Sequence, residues 1–179
     1  MGKVMYSAAM SLDGFIAGPG GDMSWMRPYA GPNPEVDALL PDIGALLIGN
    51  RTFHGDDPNK GTDREGAYGG TWDGPSFVLS HDTDQRVEDA AVLGDLEAAL
   101  AAAKEAAGDK YVSVLGADVA RQCLEAGQLD EILVMVLPVL LGDGTRLFDV
   151  TGGQRVALDQ ISVTPLSTGV NLWMRVVSP

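Results

Sequence analysis

The sequence predicts an α/β domain, with a mostly parallel central sheet flanked by helices and an antiparallel hairpin at its C-terminal end. Three observations carry this. From Lys110 to Phe148 the chain reads strand, glycine turn, helix, strand and second glycine turn, the pattern of a parallel β–α–β unit. Two more apolar runs, Ala45 to Ile48 and Phe77 to Leu79, show little alternation and read as strands covered on both faces. In the last third the period drops to two: Val156, Leu158, then Ile161 and Val163 alternate with polar residues, as do Val170, Leu172, Met174 and Val176.

Taken in order, Lys3 to Met10 reads as the first strand, Ser11 to Gly14 as a turn, and Phe15 to Ala17 as an extended segment before the loop Gly18 to Gly21. Trp25 and Met26 stand in loop-like sequence, either as core plugs or as a wall of a ligand pocket. Asn33-Pro34-Glu35 starts a helix with a cap, a proline at the first position and an acid in the first turn. Its apolar stripe runs Val36, Leu39, Leu40, Ile43, and Pro41 interrupts it. Gly49 ends the next strand and Asn50 to Phe53 follow it, with Thr52 placed to cap a helix or meet a phosphate. His54 to Pro75 is a long polar connection, either a lid or a disordered insertion, with Tyr68 and Trp72 embedded.

Asp95 caps an alanine-rich helix whose Leu96, Leu100, Ala103 and Ala107 face the core, and Gly108 ends it. In the β–α–β unit, Tyr111 to Leu115 is a strand and Gly116 turns into a helix carrying Val119, Ala120, Cys123 and Leu124. Gly127 closes that helix, and Ile132 to Val139 is the returning strand. Backbone amides at a strand–helix junction such as Gly116 suit a phosphate, although a lone glycine also serves as a plain turn. Leu140 to Gly144 forms a tight turn. The phase slip near Gln160 predicts a bulge in the final hairpin.

Composition narrows the class. The chain has 179 residues, 12 basic against 25 acidic, and a formal net charge of −13, so a nucleic acid or an anionic membrane is repelled on average. One domain, 1–179, is expected. Cys123, the single cysteine, excludes an intrachain disulfide and reads as a buried small hydrophobe. The N-terminal residues lack the apolar stretch of a signal peptide, which makes the cytoplasm the expected location. His54 and His81 have no partners at metal-ligand spacing and read as loop residues, His81 being able to touch a bound anion.

Six motifs in fixed order resemble the dihydrofolate-reductase-like family, in the branch similar to the reductase domain of the riboflavin-biosynthesis deaminase–reductase. They are Ser11 to Gly14, Gly49 to Phe53, Val78 to Ser80, Val114 to Ala117, Leu129 to Ile132, and Pro138 to Gly144 with Leu147-Phe148. The resemblance implies a reductase binding NADPH, with NADH not excluded, along the strand ends. The pyrophosphate is expected over Gly116, Ala117, Asp118 and Val119, with Leu115 and Ala120 bounding the turn. The adenosine end is expected between Gly49, Asn50, Arg51, Thr52 and Ser80, His81, and the nicotinamide near Ala9 and Ile16. Asp13 and Trp25 are the expected substrate contacts, and a homodimer is implied by the same resemblance.

The sequence departs from the family at three points. Asn50 stands where an arginine for the 2′-phosphate is common, Ala117 replaces a second glycine, and Asp118 adds an acid at a helix N-terminus. Folate reductases also carry a ring-binding carboxylate in the helix after the tryptophan. Glu35 and Asp37 are the acids at the start of that helix here, and both read as helix-start or surface residues. The expected function is therefore hydride transfer to a small planar nitrogen heterocycle, pyrimidine-like or pteridine-like. The alternative is a binding module for a nucleotide or metabolite that has kept the fold and lost the reaction.

Overall fold

The computed structural model describes residues 2–87, 89–150, 152–153 and 155–177. In chain order the elements are β1 (Val4–Ser11), β2 (Phe15–Ala17), a 3-10 turn (Ser24–Tyr29), α1 (Pro34–Leu39), β3 (Ile43–Gly49) and α2 (Asn50–Phe53). Next come α3 (Ala67–Gly70), β4 (Ser76–Leu79), β5 (Ala91–Leu93), α4 (Leu96–Ala107), β6 (Tyr111–Leu115), α5 (Ala117–Glu125) and β7 (Glu131–Leu137). The chain finishes with β8 (Thr145–Arg146), β9 (Ala157–Pro165) and β10 (Val170–Val177).

Eight strands form one sheet in the order β5-β4-β3-β6-β1-β7-β10-β9, parallel from β5 to β7 and antiparallel across β10 and β9. The expected architecture is thus present. One detail is legible only in three dimensions: β6 and β7 are not neighbours, because β1 lies between them. The short pair β2–β8 forms a second, antiparallel sheet, and Arg146 of that pair lies over the Phe15 ring at 4.6 Å. The sequence reading had no strand at β5 or β8. Both are two or three residues long, too short to show a period.

Each sheet face has its own cover. Val4, Tyr6, Ala45, Leu47, Val112, Val114 and Val134 point to the face packed by α4 and α5. The α4 helix settles so closely on β3 that a Cβ on Gly44 would stand 2.7 Å from Ala107 backbone. Met5, Leu46, Ile48 and Leu133 point to the other face, which α1, Tyr68, Trp72 and Trp173 cover. The connection 54–75 packs on this face through Ala67, Tyr68 and Trp72, while most of its residues 54–66 are exposed. Ile43, expected on the helical stripe, opens β3 instead, because Pro41 converts the helix end into a 3-10 turn (Leu40–Asp42).

The bulge falls where the phase slips. Trp173 pairs with Ser162 and Met174 with Gln160, which leaves Ile161 as the extra residue. Cys123 is fully buried, and burial pushes its thiol up to about 12, so it behaves as a core hydrophobe. No helix among the described residues is long and apolar enough to cross a membrane.

Beneath the sheet, at the start of β7, Glu131 is almost fully buried and accepts from Lys3 Nζ (2.6 Å), Trp173 Nε1 (2.9 Å) and the Tyr111 hydroxyl (3.1 Å). This carboxylate joins the residue preceding β1 to β6, β7 and β10 at one point. Trp173→Phe should cost about 1–3 kcal/mol, read by urea unfolding, since it removes one donor and leaves the carboxylate buried. An unchanged midpoint would mean the indole bond contributes nothing.

Candidate functional site

Because β3, β4, β6 and β1 run parallel, their carboxyl ends gather at one edge, and the chain order reverses there: β6 returns between β3 and β1. Open α/β sheets bind ligands at such a reversal. Here a cleft of about 2250 Å³ opens from that edge onto the face beneath α1. Pockets for one small ligand are roughly 300–1,000 Å³, so this one has room for two.

The edge is built by two junctions in contact, β3 to α2 and β6 to α5. Gly116 sits at φ 109°, ψ 133°, a conformation that side chains disfavour, and a Cβ there would lie 2.5 Å from Thr52 Oγ1. That closeness brings the Thr52 hydroxyl to the first turn of α5. Gly116 supplies no side-chain cap, and the first amide bonded within the helix is that of Ala120, to Gly116 O at 3.1 Å. The amides of Ala117, Asp118 and Val119 precede it, and all three residues line the cleft. Ala117 is already helical, so the turn needs only the one glycine.

The anion-binding expectation meets an acid at Asp118, and the geometry answers it. Its exposed carboxylate is drawn along the helix to Arg121 (2.7 Å) and Gln122 (2.9 Å), and these bonds, with Arg51 nearby, hold it below the usual carboxylate range. It does not cap α5. The donor set at the junction therefore fits a diphosphate: three free amides, a hydroxyl, and an exposed Arg51 on the rim.

Of the other expected coenzyme contacts, Ala9, Ile16, Gly49, Asn50, Ser80, His81 and Leu115 line the same cleft. Ser80 is buried and its oxygen accepts from Asp82 N (3.1 Å), which leaves its hydrogen to donate. Asn50 Oδ1 accepts from Gln85 Nε2 (2.9 Å), and Gln85 Oε1 is 3.0 Å from His54 Nε2, so position 50 presents an uncharged amide engaged with a second amide. Ala120 does not reach the cleft: it is fully buried, with its amide committed within the helix.

Asp13 and Trp25 do not lie on the lining either. Asp13 accepts from Ser11 Oγ (2.6 Å), Leu141 N (3.1 Å) and Gly142 N (2.7 Å), tying the first turn to the loop after β7. Trp25 is half-buried with its indole nitrogen enclosed, while Met23, Met26 and Tyr29 from the same segment face the cleft.

Several lining or supporting residues lie outside the set of expected ligand contacts. Tyr68, in the left-handed region at φ 54°, lays its hydroxyl 2.6 Å from Ser113 Oγ on the sheet. Its signal was Ser113 itself, a hydroxyl inside an apolar strand that must find a partner. Asn171 is fully buried and lines the cleft with Asn33, Leu133 and Met135. The sign was Trp173 two residues on: a face carrying tryptophan is not a solvent face. Glu35 turns to the hairpin, accepting from Ser162 (2.7 Å), Thr164 (3.1 Å) and Asn171 (2.8 Å), whereas exposed Asp37 lines the cleft.

The profile of the RibD C-terminal domain matches residues 2–172, and the chain belongs to that family. The uncharacterized protein YyaP of Bacillus subtilis (strain 168) is 25% identical over 178 residues, covering 94% of this chain and 91% of its own. Among solved structures, a Shewanella sp. PV-4 protein provisionally assigned to riboflavin biosynthesis superposes with a TM-score of 0.78 at 21% identity, covering 98% of this chain and 99% of its own. The Thermotoga maritima diaminohydroxyphosphoribosylaminopyrimidine deaminase/5-amino-6-(5-phosphoribosylamino)uracil reductase gives 0.66 at 18% identity, covering 98% of this chain and 57% of its own. The Enterococcus faecalis dihydrofolate reductase complexed with NADP(H) gives 0.64 at 16% identity, covering 98% and 97%. The fold is the dihydrofolate-reductase-like one.

The Asp13 tie predicts a pH signature. Its hydrogen bonds, led by Ser11, lower the carboxyl from 3.8 to about 2, so the stabilisation is complete above pH 3.8 and disappears as pH falls through about 2. Asp13→Asn should therefore melt below the wild type at neutral pH. The gap between the two should narrow from about pH 4 downward. A gap independent of pH would show that the carboxylate charge plays no part.

Proposed function

We propose that this member of the RibD C-terminal domain family is a nicotinamide-coenzyme-dependent reductase of a small planar nitrogen heterocycle, pyrimidine-like or pteridine-like. The observation that carries the reading is the junction at Gly116, where uncapped amides of α5 and the Thr52 hydroxyl converge on one edge of a cleft large enough for coenzyme and substrate. When bound, the coenzyme supplies the hydride. The chain's own residues align, bind and exclude water.

In this reading the turn at Gly116 lets the amides of Ala117, Asp118 and Val119 hold the diphosphate as neutral donors, and Thr52 adds a fourth. The adenosine half lies between Gly49, Asn50, Arg51 and Ser80, His81. The nicotinamide half enters past Ala9 and Ile16. The substrate ring lies beyond it, over Leu133 and Met135 and under α1, with Tyr68 and the segment holding Met23 and Met26 as side walls. Such walls are mostly apolar, which favours a flat ring and keeps water from the reacting carbon.

NADPH is the proposed coenzyme on family grounds, but the uncharged amide of Asn50, held by Gln85, gives the adenosine 2′-phosphate less than a cation would. A homodimer belongs to the same proposal. Beyond α5 the hairpin leaves Leu158 and Val163 exposed on an uncovered face, and Ile161 is exposed at the bulge.

Titration of reduced-nicotinamide fluorescence tests the reading, with NADPH and NADH run in parallel. Binding is expected, and Thr52→Val should weaken it by about tenfold or more, since a charge-assisted bond is lost while the packing beside Gly116 stays. Asn50→Arg should raise the affinity for NADPH relative to NADH. No binding of either coenzyme would sink the reading. Binding with no loss of reduced-nicotinamide absorbance across pyrimidine, pterin and flavin-precursor compounds would instead fit a module that holds the nucleotide without reaction.

A further inference from the structure

We propose that the Asn33 Nδ2 amide is a specificity-determining hydrogen-bond donor to the substrate ring, and that Asn171 and Glu35 are the positioning residues that orient it. This rests on the reductase reading, whose substrate half it deepens. An asparagine presents a donor or an acceptor according to a half-turn about its last bond, so its role follows from whatever holds it.

Two independent constraints act here, and they agree. On α1, Asn33 is the cap, and its Oδ1 accepts from Val36 N (3.3 Å), which places the oxygen toward the helix and the NH2 group away from it. Across the cleft wall, Glu35 Oε2 can only accept, so the atom of Asn171 lying 2.8 Å from it must be the donor Nδ2. That same Nδ2 donates to Asn33 Oδ1 (2.8 Å), and Asn171 Oδ1 therefore faces Asn33 Nδ2 (3.2 Å). Glu35 is itself fixed through Oε1 by Ser162 and Thr164 of β9. A carboxylate on the helix thus sets the polarity of a buried amide on the sheet, which sets the polarity of the amide at the cleft.

What is left over decides the chemistry. Both Asn171 hydrogens are committed, and Asn171 is fully buried. Asn33 is only half-buried and lines the cleft. One of its hydrogens is held by Asn171, while the other meets the Met135 thioether at 3.6 Å, a weak acceptor. A ring carbonyl arriving over Met135 would take that hydrogen in a stronger bond. A ring amino group at the same place would set donor against donor. Asp37, one turn on, also lines the wall, but it is exposed, so its acceptor competes with water. The half-dry donor therefore sorts rings of equal shape by the group they present.

The test titrates the protein, with and without NADPH, against 5,6-diaminouracil and 2,4,5,6-tetraaminopyrimidine, the same ring with its carbonyls replaced by amino groups. The wild type should bind the dione about tenfold or more tightly over the tetraamine. Asn33→Ser keeps a capping oxygen and deletes the amide, and it should bring the ratio close to one. Asn33→Asp puts an acceptor there, and the preference should invert. Glu35→Ala should lower the ratio while leaving NADPH affinity alone, which general damage to the fold would not do. A preference that survives Asn33→Ser, equal binding of the two rings by the wild type, or binding of neither overturns the proposal. Failure to bind NADPH counts against the reductase reading alone, because the ring ratio measured without it still decides the role of Asn33.

Discussion

The contact between Gly116 and Thr52 is the constraint on which the site depends. Two strand–helix junctions, separated by more than sixty residues, approach so closely that a single Cβ at position 116 would strike the threonine hydroxyl. The backbone at Gly116 adds a second demand, because its positive φ is costly for any side chain. Together they bring a hydroxyl and uncapped helix amides to one point at the sheet edge. Filling that space with a larger residue would break the junction itself, so loss of binding in such a variant would say little about phosphate. Thr52 is the cleaner probe because its side chain can change while the approach remains.

The substrate half of the cleft is organised differently, by polar groups that meet across elements far apart in the chain. Glu35 and Asn33 come from the start of α1, Asn171 from β10, and Ser162 and Thr164 from β9. Their bonds tie the helix to the hairpin and make the far wall. On the near side Tyr68 is anchored to Ser113, so that part of the connection 54–75 contributes a wall. Both walls stand on the sheet face that α4 and α5 leave uncovered. The division of the faces, one for helices and one for ligands, is what makes a cleft possible.

Much of this was legible beforehand, for identifiable reasons. The strands buried on both faces announce themselves as unbroken apolar runs, the capped helices by Asn33 and Asp95 with Pro34 and Gly108 at their ends, and the bulge by a slip in alternation at Gln160. Most of the expected coenzyme contacts line one cleft because Gly49 to Thr52, Ser80, His81 and Leu115 to Val119 stand at the carboxyl ends of β3, β4 and β6 in the parallel sheet. Ala120 was placed one residue too far, since it follows the last free amide. The family resemblance implies Asp13 as a ligand contact, but its oxygens are taken by Ser11 and by backbone amides of the loop after β7. Sequence spacing cannot tell a carboxylate that meets a ligand from one that meets its own chain.

The sequence by itself determined the local choices: which segments are strands, where helices begin and end, and where a glycine is required. These follow from short-range sterics, capping and periodicity, which neighbours in the chain settle among themselves. Only the tertiary structure decided that β1 lies between β6 and β7, that Glu35 faces the hairpin rather than the cleft, and that Asn33 turns its NH2 group toward it. Those outcomes depend on which distant groups become partners. A buried donor or acceptor must be satisfied by whatever the packed sheet brings within 3 Å or so, and no run of adjacent residues encodes that encounter.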